Sequence, residues 1–527
     1  MKAAVALAAS LIAATATAAT EPAPAPAREQ VYLEHDYLFV ENRAIQDYLQ
    51  SIVDKLLQGR TEKFAAPNLI VYSAGNFSAA ADTDGNLVIS TQTLRDLESE
   101  DELAALLGHE LTHVIKGHAS KKGVMQTLPV SLDSMQAISD AAHQVRASVT
   151  GNGAAAGATQ GRYTGAQAAA LFWSDILSPN WNRKQEREAD RIGLDLMRAA
   201  GYDPAAFTTL FSKLHAAHEK RSERMEAFQK AMVTRLQKPK LPRTTLKVSP
   251  ELEQALGGLQ GEAASKVVDG AFDDLNKRNA EYDSPEQRQE LITQYLAQSK
   301  IPMSRDKKAR SPLFAQNLRA GEGGTLLHQD EQALAALDAL DAGDVATAQA
   351  SIAELLPPKA AAARSAFHKP SSAHLNLALG SWYDKRGDGA SRDAHVGDWV
   401  ASSRAPVTAF LWQASNAAAR DEPSAAIDTL EQGGRRIGSP VPFLPDLISF
   451  ARQAGSESRA ESFTRQCKEE DARRKSATTK LVSAIQGSQP TGLYAECLAR
   501  LGRLPDGETQ SKGGLLKLAP LLRKATS

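Results

Sequence analysis

LLGHELTHVIKGH, residues 106–118, sets His109, Glu110, His113 and His118 inside a run rich in Ala and Leu. Ser99 precedes it, with Glu102 three residues on and acidic residues in what would be the first turn, so a helix is expected from about Ser99 to about Gly117. On a helix, positions i and i+4 are rotated by about 400° and share a face. His109 and His113 can therefore aim two imidazoles at one ion, and neutral imidazole is a good Zn²⁺ ligand. Glu110 stands beside the first of them, placed to take a proton from a metal-bound water whose pKa the cation has lowered. By ordinary residue frequencies, H-E-x-x-H arises by chance in a chain of this length roughly once in a hundred.

Zinc at a catalytic site needs a third protein ligand and an open position for water. QEREADRIG, residues 185–193, offers Glu186 and Asp190, again four apart on a second helix beginning near Asn182. One carboxylate can ligate, and the other can hold a ligand imidazole in its working tautomer. Glu188 lies about 200° from Glu186 and is expected to point elsewhere. If the first helix ran on, His118 would lie about 140° from the His113 direction, so it reads as a helix-terminal His facing the dipole and not as a ligand. His143, His215 and His218 have no motif around them.

The chain has 527 residues, enough for two to four domains. Hydrophobic residues at 42% and charged residues at 23% give the balance of a folded soluble protein. A formal charge of −1 argues against a dedicated nucleic-acid binder, which needs a basic surface. Residues 1–19 place one Lys before a short apolar stretch ending in the A-x-A pattern at Ala16–Ala18, the layout of a signal peptide. The stretch is short for a bilayer span, an uncleaved anchor being the alternative, and no later segment offers a transmembrane helix. Residues 20–28 read as an extended Pro/Ala linker. Cys467 and Cys497, an even pair in an exported chain, suggest a disulfide, with two unpaired buried thiols as the alternative.

Residues 29–250 alternate helical and strand-like signals. Ile45, Leu49, Ile52, Val53, Leu56 and Leu57 recur at helical spacing. LIVYSAG from Leu69 and LVIS after the Asp84–Gly85 turn read as strands. Residues 150–170 are rich in Gly and Ala and read as a loop, and PKLPRTTLKVSP at 239–250 marks a domain edge. Residues 251–329 form a helical connecting region that could belong to either side. From about 330 to 500, paired apolar-striped helices recur, the first pair placing Val345, Ala348, Ile352 and Leu355 on one face. Pro370, Pro406 and Pro440 follow the period of tetratricopeptide repeats, a non-repeating bundle being the alternative. Residues 501–527 form a tail. The expected fold class is mainly α: an α+β zincin-like domain followed by a helical-repeat domain.

LAALLGHELTHVIKGH (103–118) and NRKQEREADRIGLDLM (182–197) resemble the M48 family of zinc metallopeptidases over about residues 29–250. The resemblance implies one Zn²⁺ held by His109, His113 and Glu186, with Glu110 as the catalytic carboxylate and Asp190 matching the motif's Asp. The order of signal peptide, peptidase domain and helical repeats resembles the periplasmic β-barrel assembly-enhancing protease group. That implies a periplasmic endopeptidase acting on unfolded envelope polypeptides, with repeats that dock clients or the outer-membrane assembly machinery. Members of that group often carry a Ser/Thr-His-Pro segment whose His can close the open zinc position, but LQKPKLPRTTL at 236–246 has no His. The strand at Leu87–Ser90 is a candidate for pairing with extended substrate. The competing reading is a chaperone-like scaffold with a structural or inactive zinc site, although a structural site usually takes four protein ligands.

Overall fold

The computed structural model describes residues 24–34, 37–61, 63–82, 84–118, 183–237, 283–298, 312–355, 373–474 and 493–501. The expected signal peptide, the Gly/Ala-rich stretch, the 239–250 edge, nearly all of the segment compared with the inhibitory His motif, and the tail beyond Leu501 lie outside these residues. The described chain is mainly helical with one small sheet.

Helix α1 (Ala27–Glu34) leads to α2 (Arg43–Leu56). Asn42 caps α2 by accepting from the Ile45 backbone N–H at 3.0 Å, which satisfies one orphan donor of the first turn. Its helical-period residues Ile45, Leu49, Ile52, Val53 and Leu56 are buried, together with Tyr48. Three strands follow: β1 (Asn68–Tyr72), β2 (Ala79–Ala81) and β3 (Asn86–Ser90). β3 is central, parallel to β1 (Asn68 opposite Asn86) and antiparallel to β2 (Ala79 opposite Ile89). Gly85, at φ +82°, turns the chain into β3, and a Cβ there would meet Ala65 Cβ at 3.0 Å.

The sheet is buried on both faces. Leu69, Val71, Leu87 and Ile89 enter one apolar core, while Ile70, Tyr72 and Val88 enter a second. Successive residues of a strand point to opposite faces, so two cores can share one sheet. The position of β3 corrects one expectation: Leu87–Ser90 is hydrogen-bonded on both sides and has no free edge for substrate. The edge strands are β1 and β2, and Leu38–Val40 pair with the outer edge of β1.

After the short α3 (Thr91–Asp96) comes α4 (Glu100–Lys116), which carries the first motif. The expected cap forms in a shifted version. Ser99 Oγ accepts from Glu102 N at 3.1 Å, but the Glu102 carboxylate accepts from Glu98 N at 2.7 Å, one residue before the cap. Residues Glu102 to Val114 are buried without a break, so α4 runs through the core and not along its surface. It packs against α2, β2, α5 (Arg183–Ala199) and α6 (Ala206–Gln237).

The contact between α4 and α5 is close because Gly108 faces Gly193. A Cβ on Gly193 would lie 2.7 Å from His109 N and 2.8 Å from Gly108 C. Both atoms are backbone, so neither can rotate away. Gly193→Ala is expected to cost about 1–3 kcal/mol by overpacking. It is also expected to weaken metal binding, because the two motif helices must separate. Urea denaturation and a chelator competition on the same protein check both effects.

Two helices of the expected connecting region, α7 (Pro285–Gln298) and α8 (Pro312–Leu318), pack on the peptidase side: Ile292, Leu296, Phe314 and Leu318 join the core that holds α4. Helical hairpins follow: α9 (Gly321–Ala342) with α10 (Val345–Leu355), α11 (Ala373–Lys385) with α12 (Gly389–Ala401), α13 (Val407–Ala419) with α14 (Pro423–Ile437), and α15 (Leu444–Gln453) with α16 (Glu457–Arg474). Pro406 and Pro440 stand just before the third and fourth pairs, and Pro370 lies outside the described residues. In α10, Ala348, Ile352 and Leu355 are buried, but Val345 is 55% exposed. α17 (Leu493–Leu501) closes on the last pair, and Cys497 on it is joined to Cys467 as a disulfide, Cα–Cα 6.5 Å.

The hairpins dock on the back of the sheet. Asp330 of α9, fully buried, accepts from Thr91 Oγ1 at 2.6 Å, pairs with Arg95 at 3.3 Å, and is touched by Ser73 and by His374 of α11. The end of the expected linker docks as well: Ala25 is buried, and its N–H donates to Arg436 O at 2.9 Å.

Candidate metal centre

The two motifs meet where α4 crosses α5. His109 Nε2 and His113 Nε2 lie 3.1 Å apart. Glu186 sets Oε2 at 3.6 Å from His109 Nε2 and Oε1 at 3.8 Å from His113 Nε2. Two donors bound to one tetrahedral zinc at 2.0–2.1 Å would be about 3.3 Å apart. The three side chains thus enclose a space of ionic size, and their atoms all lie within 4.8 Å of one another. Two imidazole nitrogens and one carboxylate oxygen suit Zn²⁺.

Asp190, the other carboxylate of the second motif, stands behind the cluster. Its Oδ1 lies 2.8 Å from His109 Nδ1, so it accepts the ring N–H and leaves Nε2 with its lone pair facing the cluster. Burial alone would raise the Asp190 carboxyl. The Arg288 guanidinium and the His109 hydrogen bond outweigh it and bring the group down to about 2. Burial likewise works against charge on His109, yet Asp190 holds the ring above its usual value. His113 is well below its usual value, first through burial and then through the charge of its neighbours His109 and His118.

Glu110 follows His109 on α4 and is 6% exposed. Burial pushes its carboxyl up to about 7, with His109 opposing and Glu186 adding to the rise. Its Oε2 is buried and accepts no hydrogen bond among the described residues. A buried carboxylate oxygen without a donor is costly in a protein held together only by structure.

One member of this site has no counterpart in the sequence reading. Arg288, on α7, gives Nε and Nη2 to the Asp190 oxygens at 2.8 and 2.6 Å and Nη1 to Glu186 Oε2 at 3.0 Å. The guanidinium lies over the Phe211 ring, 5.2 Å from its centroid. Three carboxylates crowd one buried volume, and a cation must balance them. That need was inferable from the motifs, but nothing in NAEYDSPEQRQE, residues 279–290, marks Arg288 among 61 Lys and Arg. Arg183 and Arg187, part of the charged face of the second motif, clamp Asp283 at the start of this segment.

His118 and Glu188 lie outside the three-ligand cluster, as expected, but they meet each other. The helix stops at Lys116, and Gly117 takes the left-handed conformation at φ 59°. The His118 N–H then returns to His113 O at 3.0 Å, a helix-terminating bond that folds the chain back. The rotation of 100° per residue therefore ceases to apply, and His118 Nδ1 arrives 3.0 Å from His113 Nδ1. Glu188 does point away from Glu186, but its Oε2 comes within 3.4 Å of His118 Nε2.

Residues 43–232, which span all these motif positions, match the family described as Peptidase family M48. This segment is a peptidase family M48 domain. Metalloprotease LoiP of Escherichia coli (strain K12) is 30% identical over 158 residues, covering 30% of this chain and 55% of its own length. The Beta-barrel assembly-enhancing protease of the same organism is 23% identical over 175 residues, 33% of this chain and 34% of its own length. The Mitochondrial metalloendopeptidase OMA1 of Arabidopsis thaliana is 28% identical over 130 residues, 25% of this chain and 22% of its own length. The chain thus spans between about a fifth and a little over half of these curated relatives, from 22% to 55%. The M48 domain implies a metal, and the cluster of His109, His113 and Glu186 is where the described residues can hold one. No helix of the described residues is long and apolar enough to cross a membrane.

Proposed function

We propose that the chain is an exported, zinc-dependent endopeptidase that hydrolyses peptide bonds of misfolded or unassembled envelope proteins. His109, His113 and Glu186 hold the zinc, Asp190 fixes His109, and Glu110 is the catalytic carboxylate. The observation that carries the reading is Glu110 Oε2, buried and without a donor beside a three-ligand cluster. A structural zinc site usually takes four protein ligands, whereas three leave a position for solvent.

Bound zinc supplies a Lewis acid for the scissile carbonyl and lowers the pKa of the water it holds. Glu110 is the residue that would accept a proton from the attacking water and hand it to the leaving amine. In the metal-free site burial holds the Glu110 carboxyl up to about 7. Arg288 balances Asp190 and Glu186, so the two carboxylates stay in place when no substrate is present. An extended chain would add to the edge strand β2, Ala79–Ala81, which favours unfolded segments over folded ones. The hairpins from α9 onward would dock clients or assembly partners, in keeping with the similarity to a β-barrel assembly-enhancing protease.

The test is digestion of casein by the purified full chain, with and without a zinc chelator. Cleavage should stop on chelation and return with added zinc. Binding of unfolded chains with no cutting in either condition would favour the scaffold reading instead.

A further inference from the structure

The two ligand histidines are backed differently. His109 Nδ1 meets a carboxylate directly, while His113 Nδ1 meets a second histidine that in turn meets a carboxylate. We propose that His118, oriented by Glu188, is a positioning residue that fixes the tautomer of His113 and so sets the affinity of the site for zinc. The proposal rests on the metal-centre reading above and extends it to His118 and Glu188, which are not among the three ligands.

The hydrogen-bond directions follow from ligation. His113 Nε2 faces the ion space and must offer a lone pair there, so the ring proton sits on Nδ1. His118 Nδ1, at 3.0 Å, must then accept it. A neutral His118 that accepts at Nδ1 carries its proton on Nε2, and that N–H points at Glu188 Oε2, 3.4 Å away. In this arrangement each of these donors has an acceptor. The reverse arrangement would place a proton on His113 Nε2, where the metal needs the lone pair.

The relay is held at both ends. Glu188 also pairs with Lys116 Nζ at 3.5 Å. Gln185 Nε2 donates to the His118 carbonyl at 3.3 Å, fixing the backbone that follows Gly117. The His118 side chain is 6% exposed, so little water competes for its nitrogens. Glu188 and Gln185 both lie on α5, the helix that carries Glu186. That helix therefore supplies one ligand and the anchors of both imidazoles, Asp190 for His109 and Glu188 for His113.

The experiment measures zinc affinity of the full chain by competition with a chromophoric chelator, and the visible spectrum of the cobalt-substituted protein. His118→Leu is expected to weaken zinc binding about 10–100-fold and to shift the cobalt bands. His118→Gln should recover affinity to within a few fold, because its amide can present an oxygen to His113 and an N–H to Glu188. A residue that merely filled space would show no difference between the two variants, since Leu packs as well as Gln. Should His118→Leu fail to fold, Glu188→Met carries the test and must weaken zinc binding measurably. Wild-type affinity in His118→Leu or Glu188→Met, or no recovery in His118→Gln, overturns the relay while leaving the metal centre intact. A wild-type chain that binds no zinc overturns the metal centre itself.

Discussion

Glu110→Gln is expected to retain zinc and to lose about 10²–10⁴-fold in kcat, the usual worth of a positioned general acid–base. The amide keeps the size of the carboxylate, and Glu110 is not among the three ligand side chains. What disappears is the ability to take a proton from water and return it to the departing amine. Since Glu110 Oε2 has no hydrogen-bond donor among the described residues, the substitution breaks no contact there and folding should be preserved. The measurement is metal content and casein cleavage on the same preparation. Undiminished cleavage by a metal-replete Glu110→Gln protein would remove Glu110 from the mechanism.

Arg288→Met is expected to cost the metal-free chain about 3–5 kcal/mol of stability, the range for leaving a buried charge without its partner. Three nitrogens of Arg288 reach two carboxylates, and Asp190 is only 2% exposed. Met keeps the stem over Phe211 but leaves Asp190 with His109 as its remaining donor at this site. Zinc binding should reduce the loss, because the cation takes over the charge balance at Glu186. Urea denaturation with and without zinc reads both values. A loss below about 1 kcal/mol in the metal-free protein would place Arg288 among solvent-screened surface pairs.

Much of the site was legible because its parts are local. His109 with His113, and Glu186 with Asp190, are each four residues apart on one helix, and helix geometry alone sets them on one face. The helix start at Ser99, the buried stripe of α2 and the turn at Gly85 are likewise written in neighbouring residues. The disulfide partners could be named by counting, but only the packing of α17 on α16 brings their Cα atoms to 6.5 Å.

Three contacts escaped the sequence reading. Predicting His118 as a dipole-facing residue assumed that the helical rotation continues, and a single left-handed residue at Gly117 ends it. Glu188 was set aside for pointing away from Glu186, yet the opposite direction is where His118 stands. The Leu87–Ser90 strand looked available for substrate because strand order cannot be read from one strand.

The sequence by itself determined the donor types, their spacing and the helices that carry them, since these depend on interactions within a few residues. Tertiary structure alone decided that Gly108 meets Gly193, that Arg288 comes from a third helix to balance two carboxylates, and that both faces of the sheet are covered. Those outcomes depend on which distant surfaces bury each other, and burial is a property of the assembled chain that no short window of residues contains.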